Sequence, residues 1–133
     1  MNESFSLINT TKKNVPRLPV GLFYRELMPK KYKLSIVYVG KAKSQELNKK
    51  YRKIARPTNI LSFPLSSDEG EIIICLPKAI EEAKDTGNAI REYVGFLILH
   101  GILHLKGFKH GSTMEKMEDK LMKKYFNKTK IKI

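Results

Sequence analysis

Cysteine and long apolar runs are nearly absent from this chain, and each absence narrows what the protein can be. One cysteine among 133 residues excludes a disulfide within the chain and is typical of a reducing compartment. No apolar run approaches the roughly 20 residues of a membrane-spanning helix. The first residues also lack the basic and apolar segments of a secretory signal. We therefore expect a cytoplasmic protein with no membrane partner, folded as a single domain over residues 1–133.

Acidic residues are few: 13 Asp and Glu stand against 26 Lys and Arg, and the net charge is +13. The basic charge is concentrated over residues 1–56 and 106–133, whereas residues 57–105 are net acidic. This distribution favours a polyanionic partner, nucleic acid first. Because 21 of the 26 cations are lysines, a solvated lysine-rich surface without such a partner explains the charge equally well.

Histidine is confined to one segment, which reads His100-Gly-Ile-Leu-His104-Leu-Lys-Gly107-Phe-Lys-His110. Residues four apart lie on one face of a helix, so His100 and His104 can share a ligand. Gly107 offers a helix stop, because glycine takes the left-handed conformation at little cost. The chain can then bring His110 back over the first two. Three neutral imidazoles leave a fourth tetrahedral position open, as catalytic zinc sites do.

The ordinary explanation of a histidine on an apolar helix is a core or surface residue with one hydrogen bond. From Ile90 to Leu105 the only other polar side chains are Arg91, Glu92 and Tyr93, which predicts a buried helix. Burying two imidazoles costs free energy unless they gain partners. This cost, together with the spacing, favours a metal site over the ordinary explanation.

The remaining patterns predict an α/β layered domain in which about four strands form a mixed sheet packed with about five helices. We expect Ser44 to cap the second helix, Pro64 to stop the third strand, and Ser112 with Glu115 to form a capping box. The predicted strands cover residues 5–8, 34–39, 58–63 and 71–76, and the helices cover 19–28, 44–53, 77–86, 90–105 and 112–126, with a loose basic tail over 128–133.

Two aromatic residues, Tyr51 and Phe63, have two interpretations. Aromatic rings near basic residues can stack on nucleic-acid bases. Both residues also fall in apolar patterns, with Tyr51 on the same predicted helix stripe as Leu47 and Ile54. Core packing is therefore the better interpretation of both.

The histidine spacing is also similar to the signature of the metzincin proteases, which place a glutamate general base directly after the first histidine. That position is Gly101 here, and glycine has no proton acceptor in a side chain. This difference argues against a protease and leaves the general base unassigned. A metal ion lowers the pKa of its bound water to about 7, which serves hydrolysis of phosphodiesters, peptides, esters or amides.

Four segments in a fixed order carry a family resemblance. They read Leu47-Asn-Lys-Lys-Tyr-Arg52, Pro57-Thr-Asn-Ile-Leu-Ser-Phe-Pro64, Gly70-Glu-Ile-Ile-Ile-Cys75 and the histidine segment. Together they resemble the YbeY family of bacterial endoribonucleases, whose histidine pattern is His-Gly-x-Leu-His-Leu-x-Gly-aromatic-Asp-His. The resemblance spans residues 47–110, about half of the chain. Lys109 stands where the family usually has aspartate, and Glu71 replaces the aspartate that follows the glycine.

The resemblance implies a metal-dependent endoribonuclease that is selective for single-stranded RNA. It implies action in 16S ribosomal RNA maturation and ribosome quality control, with the small ribosomal subunit as a partner. By matching position, His100, His104 and His110 are the expected ligands of one Zn²⁺ per chain. Arg52 is the expected arginine of the active-site cleft, where its planar fork of donors suits phosphate oxygens. Without the resemblance, a surface arginine at a helix end is the better explanation of Arg52.

Two further functions stay open at the level of sequence. One is a non-catalytic ribosome- or RNA-binding assembly factor whose metal is structural, and the other is a metallohydrolase with a different substrate class. A structural zinc site needs a fourth protein ligand. The only thiol is Cys75, which lies in an apolar run that predicts a core residue.

Overall fold

The predicted mixed sheet of four strands and its five helices are confirmed by a computed structural model, which describes residues 4–128. Most of the predicted basic tail, residues 129–133, lies outside the described part of the chain. Within that part, no helix is both long enough and apolar enough to cross a membrane. The elements in chain order are β1 (Phe5–Asn9), α1 (Val20–Leu27), β2 (Lys33–Val39), α2 (Lys41–Arg52), β3 (Ile60–Ser66), β4 (Glu69–Cys75), α3 (Leu76–Asp85), α4 (Ile90–Leu105) and α5 (Ser112–Phe126).

The strands lie in the order β1-β2-β4-β3. Strand β2 pairs in parallel with β1 on one side and with β4 on the other, and these parallel pairs need long crossover connections. Strands β3 and β4 form an antiparallel hairpin in which Leu61 pairs with Ile73. The hairpin therefore ends the sheet with β3 as an edge strand.

The two central strands, β2 and β4, have buried residues on both faces of the sheet, and β2 shows how. Leu34, Ile36 and Tyr38 point into the main core, which also holds residues of α1, α3, α4 and α5. Val39 points to the other face, into a small cluster with Leu61 and Ile73. Leu47 of α2 packs against that small cluster, so α2 covers the face opposite α4.

Helix α4 is the buried helix that the sequence predicts, with nine of its 16 residues buried. Gly101 allows it to approach the β3–β4 hairpin closely. A Cβ added at Gly101 would lie 3.0 Å from the Cδ1 atoms of both Ile60 and Ile72. The Ser62 hydroxyl donates a hydrogen bond of 3.1 Å to the Gly101 carbonyl. This close packing fixes α4 against β3, and therefore fixes the place of the histidines on α4.

The predicted cap of α2 is wrong, and its predicted inward stripe is right for Leu47, which packs against the small cluster, but wrong for Tyr51, which is exposed. The helix begins at Lys41 with Gly40 as its N-cap, so Ser44 lies inside it. The buried residues of α2 are Ser44 and Asn48, and they bind the following loop through its backbone. The Ser44 hydroxyl donates to the Thr58 carbonyl at 2.8 Å, and the Asn48 amide donates to the Arg56 carbonyl at 2.9 Å.

The predicted end of β3 and the predicted cap of α5 are also wrong, although α5 does cover residues 112–126 as predicted. Pro64 does not stop β3 but pairs with Gly70 within it, and the register shifts only between Pro64 and Ser66. An edge strand tolerates proline because one row of its backbone groups needs no strand partner. Helix α5 has Gly111 as its N-cap and no side-chain cap hydrogen bond, so the capping box from Ser112 does not form.

Candidate metal centre

The three histidines converge at the C-terminal end of α4. His100, His104 and His110 each offer a ring nitrogen within 4.8 Å of the other two. The Nε2 atoms of His100 and His104 are 3.1 Å apart. Among residues 4–128, no other group of three or more His, Cys, Asp or Glu side chains is close enough to share an ion.

The turn that returns His110 to the first two histidines depends on glycine. Helix α4 ends just before Gly107, which has a φ of +97°, as the sequence predicts. The Phe108 amide donates to the Leu103 carbonyl at 3.0 Å, which closes the end of the helix as a Schellman turn does. Gly111, with a φ of +151°, then leads the chain into α5. His110 is therefore held between two glycine-dependent turns.

Hydrogen bonds to Nδ1 orient the two helical histidines. The Nδ1 of His100 hydrogen-bonds to the carboxylate of Glu118, and the Nδ1 of His104 donates to the Phe108 carbonyl at 3.1 Å. With Nδ1 engaged, Nε2 is the free ligand atom of each ring. Metal-binding histidines usually have such a partner, which fixes the tautomer and the ring orientation.

Glu118 is a functional residue that is not among the sequence predictions, although its place in the pattern of α5 carries a signal. The buried positions of α5 are Met114, Glu118, Leu121 and Met122, so a carboxylate lies on the apolar stripe of an amphipathic helix. Only 7% of Glu118 is exposed. A carboxylate on such a stripe needs a partner, and histidine is one of the few residues that can supply it.

The donor chemistry of the three histidines fits a zinc-like ion. Burial, followed by the neighbouring His100 and His110, lowers the pKa of His104 and favours the neutral imidazole that binds metals. Nitrogen ligands at about 2.0–2.1 Å in a tetrahedron lie about 3.4 Å apart, close to the spacing of the two helical Nε2 atoms. Cys75 is outside the cluster and 1% exposed, and burial raises the pKa of its thiol. The described residues therefore provide three ligands and no fourth.

Two clefts flank the histidines. The first has a volume of about 700 Å³ and is lined by Arg52 and by all three histidines. Its other lining residues are Tyr51 and residues 58–64. The second has a volume of about 470 Å³, borders His100 and His110, and is lined mainly by α4 and α5. The structure thus brings Arg52, exposed at the end of α2, into one cleft with the three histidines.

Gly101, which stands where the metzincins have glutamate, and Lys109, which stands where the YbeY family usually has aspartate, have clear positions in the structure. Gly101 faces Ile60 and Ile72 rather than a cleft, so a larger residue there would meet the sheet. Lys109 is exposed, and so is His110. Within residues 4–128, no group hydrogen-bonds to the His110 ring. The third histidine therefore lacks the kind of oriented support that Glu118 gives to His100.

Comparison with known proteins agrees with the motifs. The model of the family described as Endoribonuclease YbeY matches residues 7–130. The chain belongs to this family. An Endoribonuclease YbeY of Colwellia psychrerythraea is 39% identical over 94 residues, which cover 65% of this chain and 61% of the relative. One from Staphylococcus carnosus is 37% identical over 97 residues, which cover 64% and 63%. The chain thus spans less than two thirds of the length of these YbeY relatives.

The fold comparison extends over more of the chain. A solution structure of a Thermotoga maritima protein aligns with a TM-score of 0.64 at 24% sequence identity. The alignment covers 92% of this chain and 89% of the other. This likeness shows that the two chains share the same layered fold, beyond the segments that carry the motifs.

Proposed function

We propose that this YbeY-family chain is a zinc-dependent endoribonuclease that cleaves single-stranded RNA in the cleft between α2, β3 and α4. The observation that carries this function is one cleft lined by three converging histidines and an exposed arginine. A metal site without a fourth protein ligand suits catalysis better than a structural role. For this reason we favour the nuclease over an assembly factor with a structural metal.

Each residue of the cleft has a defined task in this proposal. His100, His104 and His110 hold the ion through their ring nitrogens, and Glu118 and the Phe108 carbonyl keep the two helical rings in place. A zinc ion bound by these three imidazoles would supply Lewis-acid chemistry and would lower the pKa of water toward neutrality. Arg52 binds the phosphate oxygens through its planar fork and stabilises the charge that develops there.

The proposed substrate is small-subunit ribosomal RNA in the bacterial cytoplasm, in the maturation that the family resemblance implies. The net charge of +13 suits a polyanion of this kind. The relatives from Colwellia psychrerythraea and Staphylococcus carnosus carry the name Endoribonuclease YbeY, which supports RNA as the substrate class.

The test compares zinc content, melting temperature and cleavage of a labelled single-stranded RNA on the same preparations. We expect His104→Ala to lose metal and cleavage together. We expect Arg52→Ala to keep its metal and its melting temperature but to lose about 10²–10³-fold in cleavage rate, as the loss of a charge-stabilising contact does. Arg52→Lys should recover only part of the rate, because a point charge does not replace a bidentate fork.

Arg56→Ala is the matched control. Arg56 is an exposed arginine four residues further along, and it does not line the cleft. Its variant should cleave saturating RNA at nearly the wild-type rate. Cleavage that survives both His104→Ala and chelation of the metal contradicts a metal-dependent nuclease. Full cleavage by Arg52→Ala would show that Arg52 has no role in catalysis. The assignment of the active site would then depend on the three histidines alone.

A further inference from the structure

Tyr51 lies where core packing does not explain it. It is 55% exposed, although its place in the sequence pattern of α2 predicts an inward position. Its helix is anchored by other residues, since Ser44 and Asn48 are buried and Leu47 packs against the small cluster. The ring lines the cleft that holds Arg52 and the three histidines. An exposed aromatic ring at the edge of a candidate active site is a candidate ligand-binding group.

The Tyr51 ring packs against the ring of a second aromatic residue, Phe63. The ring centroids of Tyr51 and Phe63 are 5.0 Å apart with an interplanar angle of 57°. Phe63 is partly buried and packs against the small cluster of Val39, Leu61 and Ile73. Phe63 is therefore a fixed support, and Tyr51 presents its remaining surface to the solvent at the rim of the cleft.

The surroundings of this ring are basic. Lys50 Nζ lies 5.2 Å from the centroid of the Tyr51 ring. The other exposed cations of this part of the chain are Lys49, Arg52, Lys53 and Arg56. Cations in the last turn of a helix also interact favourably with the helix dipole. This interaction explains why basic residues lie at the end of α2, but it does not explain the exposed ring beside them. An aromatic ring among cations is the combination that binds single-stranded nucleic acid, through base stacking and phosphate attraction.

We propose that Tyr51, supported by Phe63, is a stacking platform for an unpaired base of the RNA strand that occupies the cleft. This inference rests on the proposed nuclease function and adds a binding subsite to it. In a duplex each base is already stacked between its neighbours, and sequence-specific RNA recognition therefore targets bases that can be splayed out. Tyr51 thus helps the cleft to select a single strand over a duplex.

The first test measures the affinity for a short single-stranded oligonucleotide with phosphorothioate linkages, which slow its cleavage. Stacking on one base corresponds to an affinity loss of about 5- to 150-fold on alanine substitution, and we expect Tyr51→Ala to fall in this range. Tyr51→Phe, which keeps the ring, should bind nearly as tightly as wild type. Binding to duplex RNA should change little in either variant, and the salt dependence should stay the same because no charge is removed.

The second test uses the absence of tryptophan from the chain. Tyr51→Trp creates a single tryptophan at the platform, which can be excited selectively over the tyrosines, and Leu7→Trp places one on β1, at the edge of the sheet opposite β3. Leu7 is 43% exposed, so both reporters start near solvent. Single-stranded RNA should quench the emission of the Tyr51→Trp variant and leave that of the Leu7→Trp variant almost unchanged.

The results of these tests distinguish a failure of the Tyr51 platform from a failure of the proposed nuclease function. Wild-type binding and cleavage of single-stranded RNA, combined with unchanged affinity in Tyr51→Ala, overturn the platform and leave the proposed function standing. Equal quenching in both tryptophan variants overturns the platform as well. A wild-type chain that neither binds nor cleaves single-stranded RNA overturns both.

Discussion

At the scale of single residues, the support of the histidines matters as much as the histidines themselves. His100 receives its orientation from Glu118, a residue 18 positions away on another helix. Glu118 is buried and His100 is partly buried, so few other groups can compete for the Nδ1 atom. In known metal sites the loss of such a partner lowers metal affinity by about 10- to 100-fold. Glu118 should therefore control how tightly the ion is held without touching it.

We expect Glu118→Gln to lower zinc affinity by about 10- to 100-fold, because the amide keeps the volume but loses the carboxylate charge. Competition with a chromophoric chelator measures this affinity. Asp119→Asn is the control, since Asp119 is an exposed neighbour that lines the second cleft without contacting a histidine. A loss of thermal stability with unchanged zinc affinity would show that Glu118 is only a packing residue.

At the scale of secondary-structure elements, α4 positions the site because glycine lets its neighbours approach. Gly101 brings the helix close to the β3–β4 hairpin, and Gly95 makes room for the ring of Phe126 at the end of α5. Glycine inside a helix is unfavourable by about 1 kcal/mol relative to alanine. Close packing on both sides of α4 offsets this cost.

We expect Gly95→Ala to lower the free energy of unfolding by about 1 kcal/mol. An added Cβ overlaps the Phe126 ring, and overpacking typically costs about 1–3 kcal/mol, of which helix propensity returns up to about 1 kcal/mol. Urea denaturation measures the change. Gly21→Ala in α1 is the control, because its Cβ meets only the flexible end of Arg25 at 3.5 Å. Gly21→Ala should be neutral or stabilising, and equal destabilisation of the two variants would contradict the packing explanation.

The elements also show what can be predicted from sequence. The buried α4 follows from a local segment that is apolar on all sides, and its stop at Gly107 follows from one conformational preference of glycine. The inward place of Ser44 and Asn48 in α2 could not be predicted, since it depends on backbone partners at Thr58 and Arg56, which lie 14 and 8 residues further along the chain. The place of Pro64 depends on the sheet order, and the Glu118–His100 pair depends on how α5 crosses α4. These features arise from contacts between distant residues, which a local pattern does not contain.

At the scale of the whole molecule, net charge and cleft geometry act together. The exposed cations at the end of α2 lie beside the cleft, whereas the acidic residues are concentrated over residues 57–105. Electrostatic attraction of this kind brings a nucleic acid to the protein surface independently of its nucleotide sequence. The histidines, Arg52 and the Tyr51 ring would then act on the strand that is already held.

We expect the affinity for single-stranded RNA to fall linearly with salt concentration on a logarithmic plot, because each phosphate contact releases counterions with a slope of about −0.7. Two variants show which lysines contribute to this salt dependence. Deletion of residues 128–133 removes three lysines from the C-terminal end, and the triple variant Lys49→Gln, Lys50→Gln and Lys53→Gln removes three beside the cleft. Each can reduce the slope by at most about 2, and the triple variant should approach this limit more closely since its lysines adjoin the bound strand. Titrations at several salt concentrations measure both slopes. An affinity that ignores salt, or a slope that changes only in the deletion, would show that the cations beside the cleft do not hold the RNA.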